Sequence, residues 1–183
     1  MTWKVLSKKT LIKNEFFTLE EEKCRKHNGE IAEKYYSMKK PDSVVIVAIT
    51  KTKKIILIQQ YRHPIRSIKY EVPAGYVEKT DKNLIESAKR ELLEETGYKP
   101  KKLIKLGKTF ALSGFLTNTV HFFLALDCEK IDTQHLDKDE EIDVKETTLK
   151  IVLTLVNKSD IMDMGSVTAI LMAKEYITKH KLI

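Results

Sequence analysis

The 183-residue chain is 42% hydrophobic and 32% charged with a formal net charge of +7, a balance that suits one globular core and excludes a disordered or fibrous chain. Its longest apolar run, Val44 to Ile49, is too short to span a bilayer, and the first fifteen residues carry Lys4, Lys8, Lys9 and Lys13 without the apolar stretch of a leader peptide. Cys24 and Cys128 lie far apart and the five histidines are scattered, so the reading is a cytoplasmic protein with two reduced cysteines and no thiolate or imidazole metal centre.

In chain order, residues 15–40 read as a small antiparallel sheet. Asn28-Gly29 signals a two-residue hairpin turn, with Leu19 to His27 and Glu30 to Met38 pairing across it. Polar residues are frequent on both strands, so this sheet has one face at most to bury and needs a partner. Tyr35 and Tyr36 point to opposite faces. The expected division is therefore residues 1–40 as an N-terminal sheet and dimerisation element, and residues 41–183 as the main domain. Val44 to Thr50 and Ile55 to Gln60 are β-rich apolar runs joined by a lysine turn, which makes them central strands of a buried sheet. Lysines gather at turns such as 51–54 and 99–102 without interleaved aromatics, so nucleic acid is not the expected partner despite the positive charge. Two distinctive segments follow, Gln59-Gln60-Tyr61-Arg62-His63-Pro64 and Glu71-Val72-Pro73-Ala74-Gly75; Arg62 could pair structurally with Glu71.

The stretch Gly75 to Tyr98 organises the rest. Gly97 and Pro100 end a helix at about Thr96. Thr80 and Asp81 are expected caps at its start, ahead of a buried stripe of Leu84, Ile85, Ala88 and Leu92. On helical geometry Glu91, Glu94 and Glu95 then share one edge outside that stripe, with Arg90 placed to pin Glu94. Like charges held together repel, and a hard divalent cation would relieve them: an oxygen-only donor set favours magnesium or manganese, ions that act on phosphates. Charge spacing alone equally fits a solvated, salt-bridged helix face.

Leu103 to Leu112 and Val120 to Leu126 read as two more strands around the loop Ser113 to Asn118. An acidic loop, Asp137 to Val144, enters another strand. Lys150 to Asn157 and Ser166 to His180 are helical, the latter with Val167, Ile170, Leu171, Ala173 and Ile177 on its apolar side.

Arg90-Glu91-Leu92-Leu93-Glu94-Glu95-Thr96-Gly97-Tyr98 resembles in full the second half of the Nudix box, R-E-U-x-E-E-x-G-U with U a bulky aliphatic residue. The first half departs from it. Fourteen residues separate Gly75 from Arg90, one more than the family spacing, and the expected glutamate is matched by Asp81 or displaced to Glu78. The segments around Arg62 and Ala74 resemble those preceding the box in the ADP-ribose pyrophosphatase branch. What the resemblance implies is an α+β chain with the Nudix fold, an α/β/α sandwich with a mixed sheet plus the N-terminal antiparallel sheet. It implies Mg²⁺-dependent (or Mn²⁺-dependent) hydrolysis of ADP-ribose or another nucleoside diphosphate sugar by a homodimer. The metal would be held by Glu91, Glu94, Glu95 and the Ala74 carbonyl, with Arg90 and Glu94 in the catalytic set. Substrate would meet Arg62, Gly75, Tyr76 and, from the N-terminal sheet, Phe17 and Tyr35, with Phe16 and Tyr36 as further stacking candidates. The general base would be Glu140, with Glu141 as the fallback. Ser113 and Asn118 stand where the branch has proline and glutamate. Two other readings stay open: a Nudix hydrolase of a modified triphosphate or capped RNA, and a non-catalytic nucleotide-sugar sensor.

Overall fold

The computed structural model describes residues 1–138 and 140–182. The chain divides into two units, one formed by Met1–Asp42 with Thr109–Thr119, the other by Ser43–Lys108 with the chain from Val120 onward.

The first unit is built on a three-stranded antiparallel sheet in the order β1 (Lys4–Lys13), β2 (Thr18–Arg25), β3 (Ile31–Lys39). Two expectations change here. The turn is not a two-residue one: Gly29 N–H donates to Lys26 O (3.1 Å) and Lys26 N–H to Glu30 O (2.8 Å), and of the turn residues Gly29 alone has positive φ, at 90°. Both central residues of the expected turn would need positive φ, so Gly29 instead closes a three-residue loop as a bulge. The sheet also has a third strand. Every residue of β1 is exposed; an antiparallel ladder joins it to β2, with Lys8 Nζ pairing with Glu20 at 2.6 Å and Glu22 at 2.9 Å on β2, while Lys39 on β3 also reaches Glu20 at 3.2 Å. These contacts lower the Glu20 carboxyl pKa, led by the Lys8 hydrogen bond. A strand with no buried residue has no buried apolar period to announce it.

The second unit contains the mixed sheet. Its path is β11 (Ile142–Thr147), β5 (Ile55–Arg62), β4 (Ser43–Thr50), β10 (Thr119–Lys130), β8 (Tyr98–Lys99), with β6 (Ser67–Glu71) on β5, β7 (Ala74–Tyr76) on β4 and β9 (Lys102–Phe110) on β10. β10 runs parallel to β4, while β5 and β7 are antiparallel to it. Both faces of β4 are buried, as its unbroken apolar run requires. Val44, Ile46 and Ala48 join Ile56, Phe123, Ala88 and Leu92 in one core, which places α1 (Leu84–Thr96) on that face. The alternate residues face the other way, where α3 (Met164–His180) packs on β4 and Gly165 comes up against Val45. With α2 (Leu149–Asn157), the layers are helix, mixed sheet, helix, as the resemblance implies.

Helix boundaries correct three details. The α1 cap is Asn83, whose side chain accepts from Ile85 N–H (3.0 Å) and Glu86 N–H (3.1 Å). Thr80 and Asp81 lie in the preceding turn. Ile85 is 48% exposed rather than in the stripe, and Leu171 on α3 is 49% exposed while Ala169 takes its place inside. In each case a helix meets the sheet along a narrower line than hydrophobicity alone suggests.

Candidate active site

The site is assembled where β7 enters the turn before α1. β7 pairs with β4 through Val45↔Ala74 and Val44↔Gly75, which lays the Ala74-Gly75 backbone along the helix. Ala74 N–H donates to Glu95 Oε2 at 3.0 Å. Gly75 lies so close to α1 that a Cβ there would fall inside the Glu91 carboxylate, so no side chain can replace its hydrogen without moving Glu91. Tyr76, half-exposed, offers its carbonyl to Arg90 Nη2 at 2.9 Å.

Arg90 is the hub. Its Nε and Nη2 bind Asp81 Oδ1 and Oδ2 at 3.1 and 2.9 Å, and its Nη1 binds Glu91 Oε1 and Glu94 Oε2, both at 2.9 Å. Glu78 stands farther off, at 3.6 Å, and is largely exposed. Asp81 is therefore the partner that the inserted residue left open. The fork geometry explains the choice, because a planar guanidinium bonds a carboxylate through two parallel N–H groups. Bound this way, Asp81 has its carboxyl pKa held down at about 2 by the Arg90 hydrogen bonds.

The three helix carboxylates differ in burial. Glu94 is 39% exposed at the side chain and Glu91 13%, whereas Glu95 is 3% exposed as a residue. Glu95 is thus on the buried face of α1, not on the edge expected from the apolar stripe. Burial pushes the Glu91 carboxyl up to about 7 against the pull of Arg90, and raises that of Glu95 well above its ordinary value despite the Ala74 hydrogen bond. The negative charge of Glu140 adds to both. Two buried carboxylates with too little positive charge between them suit a hard divalent cation by chemistry, since the donors are all oxygen. As placed, no three acidic, histidine or cysteine side chains among the described residues converge on one ion-binding point; Arg90 draws Glu91 and Glu94 to itself.

Glu140 and Glu141 part company. Glu140 lies within electrostatic reach of Glu91 and Glu95, its own carboxylate accepting from Asp137 N–H at 3.2 Å. Glu141 lines a groove of about 280 Å³ with Gln59, Tyr61, Ile68, Ile142 and Asp143. Successive residues entering a strand face opposite ways. Asp139, in the same acidic loop, lies outside the described residues. Arg62 forms the ion pair with Glu71: Nε to Oε1 at 2.8 Å and Nη2 to Oε2 at 2.5 Å. Its side chain remains 43% exposed, and its charge is felt at Glu95.

In the first unit, Tyr35 donates its hydroxyl to Gly114 O at 3.1 Å and meets Trp3 edge to face at 5.7 Å. Phe17 is half-buried, its N–H bound by Asn14, while Phe16 is 67% exposed. Tyr36 donates to Glu21 at 2.8 Å. Asn118 is buried, its Oδ1 without a hydrogen-bond partner.

Residues 39–160 match the NUDIX domain, and this span contains the whole carboxylate site. The chain belongs to the NUDIX family. Among NUDIX proteins it is 36% identical to an ADP-ribose pyrophosphatase of Bacillus subtilis (strain 168), over 97% of this chain and 100% of that one. It is 33% identical to a methanol dehydrogenase activator of Bacillus methanolicus, over 84% and 83%. A crystal structure of an ADP compounds hydrolase superposes with a TM-score of 0.88 at 22% identity, covering 100% of this chain and 98% of the other, which shows the NUDIX fold. Gln134, whose Nε2 donates to Glu95 O at 2.7 Å, carries no motif signal and could not be picked out of the sequence.

Proposed function

We propose that this enzyme hydrolyses the diphosphate of ADP-ribose or a similar nucleoside diphosphate sugar, giving a nucleoside monophosphate and a sugar phosphate. The observation that carries the reading is the Arg90 hub: despite the inserted residue, Asp81 completes the guanidinium's bonding and Glu91, Glu94 and Glu95 keep their register.

Glu91, Glu94, Glu95 and the Ala74 carbonyl would hold Mg²⁺, or Mn²⁺ in its place. Bound there, the ion would polarise the diphosphate and make water a stronger nucleophile. The chain's own residues do the rest. Arg90 fixes the carboxylate positions, and Gly75 lets the backbone approach them. Arg62, stiffened by Glu71, presents a pre-oriented guanidinium to the phosphates. Glu140 takes the proton from the attacking water, a role favoured over Glu141 by its electrostatic reach to Glu91 and Glu95. The first unit serves as the dimerisation element, with Phe17 and Tyr35 stacking on the base. The compartment is cytoplasmic; among the described residues no helix is long and apolar enough to cross a membrane.

The test is turnover of ADP-ribose, UDP-glucose, GDP-mannose and modified nucleoside triphosphates with Mg²⁺. Preference for a diphosphate sugar, with cleavage inside the diphosphate, is expected; preference for a triphosphate, or no turnover of any of them, would reject the reading.

A further inference from the structure

The last carbonyls of α1 lack the usual intrahelical partners, and they are met partly by the helix's own cap and partly by the segment leading to β11. Gly97 N–H closes on Leu93 O at 2.7 Å, and His135 N–H donates to Glu94 O at 2.8 Å. Gln134 Nε2 donates to Glu95 O at 2.7 Å. The same Nε2 donates its second hydrogen to Ile142 O at 3.0 Å, at the first residue of β11. Both partners are carbonyls, which only accept, so the group facing them must be the NH₂ end of the amide. One half-buried side chain therefore ties the backbone of Glu95, on the carboxylate helix, to the backbone of Ile142, two residues after Glu140.

We infer that Gln134 is a positioning residue: its amide clamps the end of α1 to the start of β11 and so sets where Glu140 stands relative to the Glu91 and Glu95 carboxylates. The inference rests on the reading of Glu140 as the general base. Geometry makes the side chain hard to replace. A carboxylate would set a third acceptor between two carbonyls, leucine offers no donor, and asparagine is one methylene short of bridging both strands of the clamp. Nothing else described spans the same two carbonyls. His135 holds Glu94 from its backbone, and its ring, 3.2 Å from Asp132 Oδ2, is turned to its own loop.

The experiment is a double-mutant cycle between Gln134→Leu and Glu140→Gln, with ADP-ribose as substrate and Mg²⁺ as the ion. Losing an outer group that orients a site typically costs about 10–100-fold, and that loss should appear in kcat, with KM for ADP-ribose and the Mg²⁺ affinity from direct titration unchanged. In the Glu140→Gln background the same substitution should cost nothing further, since the group it positions is gone. Amide exchange across residues 131–141 should speed up in the variant while the melting temperature falls by only a few degrees. Gln134→Glu, which keeps the shape and removes the donors, serves if the leucine variant is insoluble. Full kcat in both variants, or an equal loss with and without Glu140, would overturn the inference. If Glu140→Gln alone left kcat intact, the general-base reading would fail first and take this inference with it.

Discussion

Glu95 shows what a side chain gives up to serve a site. It is buried at 3% exposure with one backbone N–H for company, and its neighbours Glu91 and Glu140 repel it. Without an ion, burial disfavours its charged form, so Glu95→Gln, which keeps an oxygen for Ala74 N–H, should fold at least as well as the parent in EDTA. The parent should gain stability from Mg²⁺, on the order of 5–10 °C in melting temperature at a hundredfold excess over Kd. The variant should lose most of that gain and orders of magnitude in kcat. Thermal scans with and without Mg²⁺ check this, and an undiminished Mg²⁺ shift in Glu95→Gln would remove Glu95 from the ligand set. The three carboxylates were legible in the sequence because residues three and four apart on a helix must be neighbours. Their unequal burial was not, because the depth of a residue on α1 depends on β7, a strand of three residues fixed by pairing with β4 rather than by its own pattern.

At the level of elements, the turn into α1 divides its work between two residues that the sequence alone cannot separate. Asn83 caps the helix and Asp81 anchors Arg90. Asn83→Ala should cost about 1 kcal/mol while Thr80→Ala leaves stability nearly unchanged, as urea unfolding would show. The Asp81–Arg90 pair adds a dependence on pH. A carboxyl whose folded pKa is depressed contributes stability that is present above its unfolded value and lost as pH falls through the folded one. For Asp81 that window runs from the ordinary 3.8 down to about 2. The stability gap between the parent and Asp81→Asn should therefore be full at pH 5 and close as pH approaches 2. The absence of a gap at pH 5 would mean that Arg90 relies on Glu78 instead. The end of the same helix was legible because it rests on backbone: Gly97 has φ 75°, and a Cβ there would strike Asp132 O.

For the molecule as a whole, the fold was legible wherever a strand is buried on both faces, as in the run from Val44 to Ile49, and illegible where a strand is exposed along its whole length, as in β1. That missed strand bears on assembly. In the first unit β1 lies at the edge of the three-stranded sheet with every residue exposed, and it displays Val5 at 51%, Leu6 and Leu11 at 39% and Ile12 at 48%. Trp3 at 48% and Phe16 at 67% flank it. An edge strand with open hydrogen-bonding groups and this much apolar surface would suit a second chain, since stable proteins cover or charge such edges. The lysines of β1 are partly spent on β2, Lys8 above all, so they leave the apolar side chains to a partner. A two-fold dimer meets the need because one patch then covers its own copy. Light scattering at micromolar concentration should give twice the chain mass, and Val5→Glu with Ile12→Lys should give the monomer mass and lower turnover of ADP-ribose. The double variant should keep its Mg²⁺ affinity, since the proposed ligands, the carboxylates of Glu91, Glu94 and Glu95 and the Ala74 carbonyl, come from α1 and β7. A parent that scatters as a fully active monomer would show instead that β1 stands open in solution.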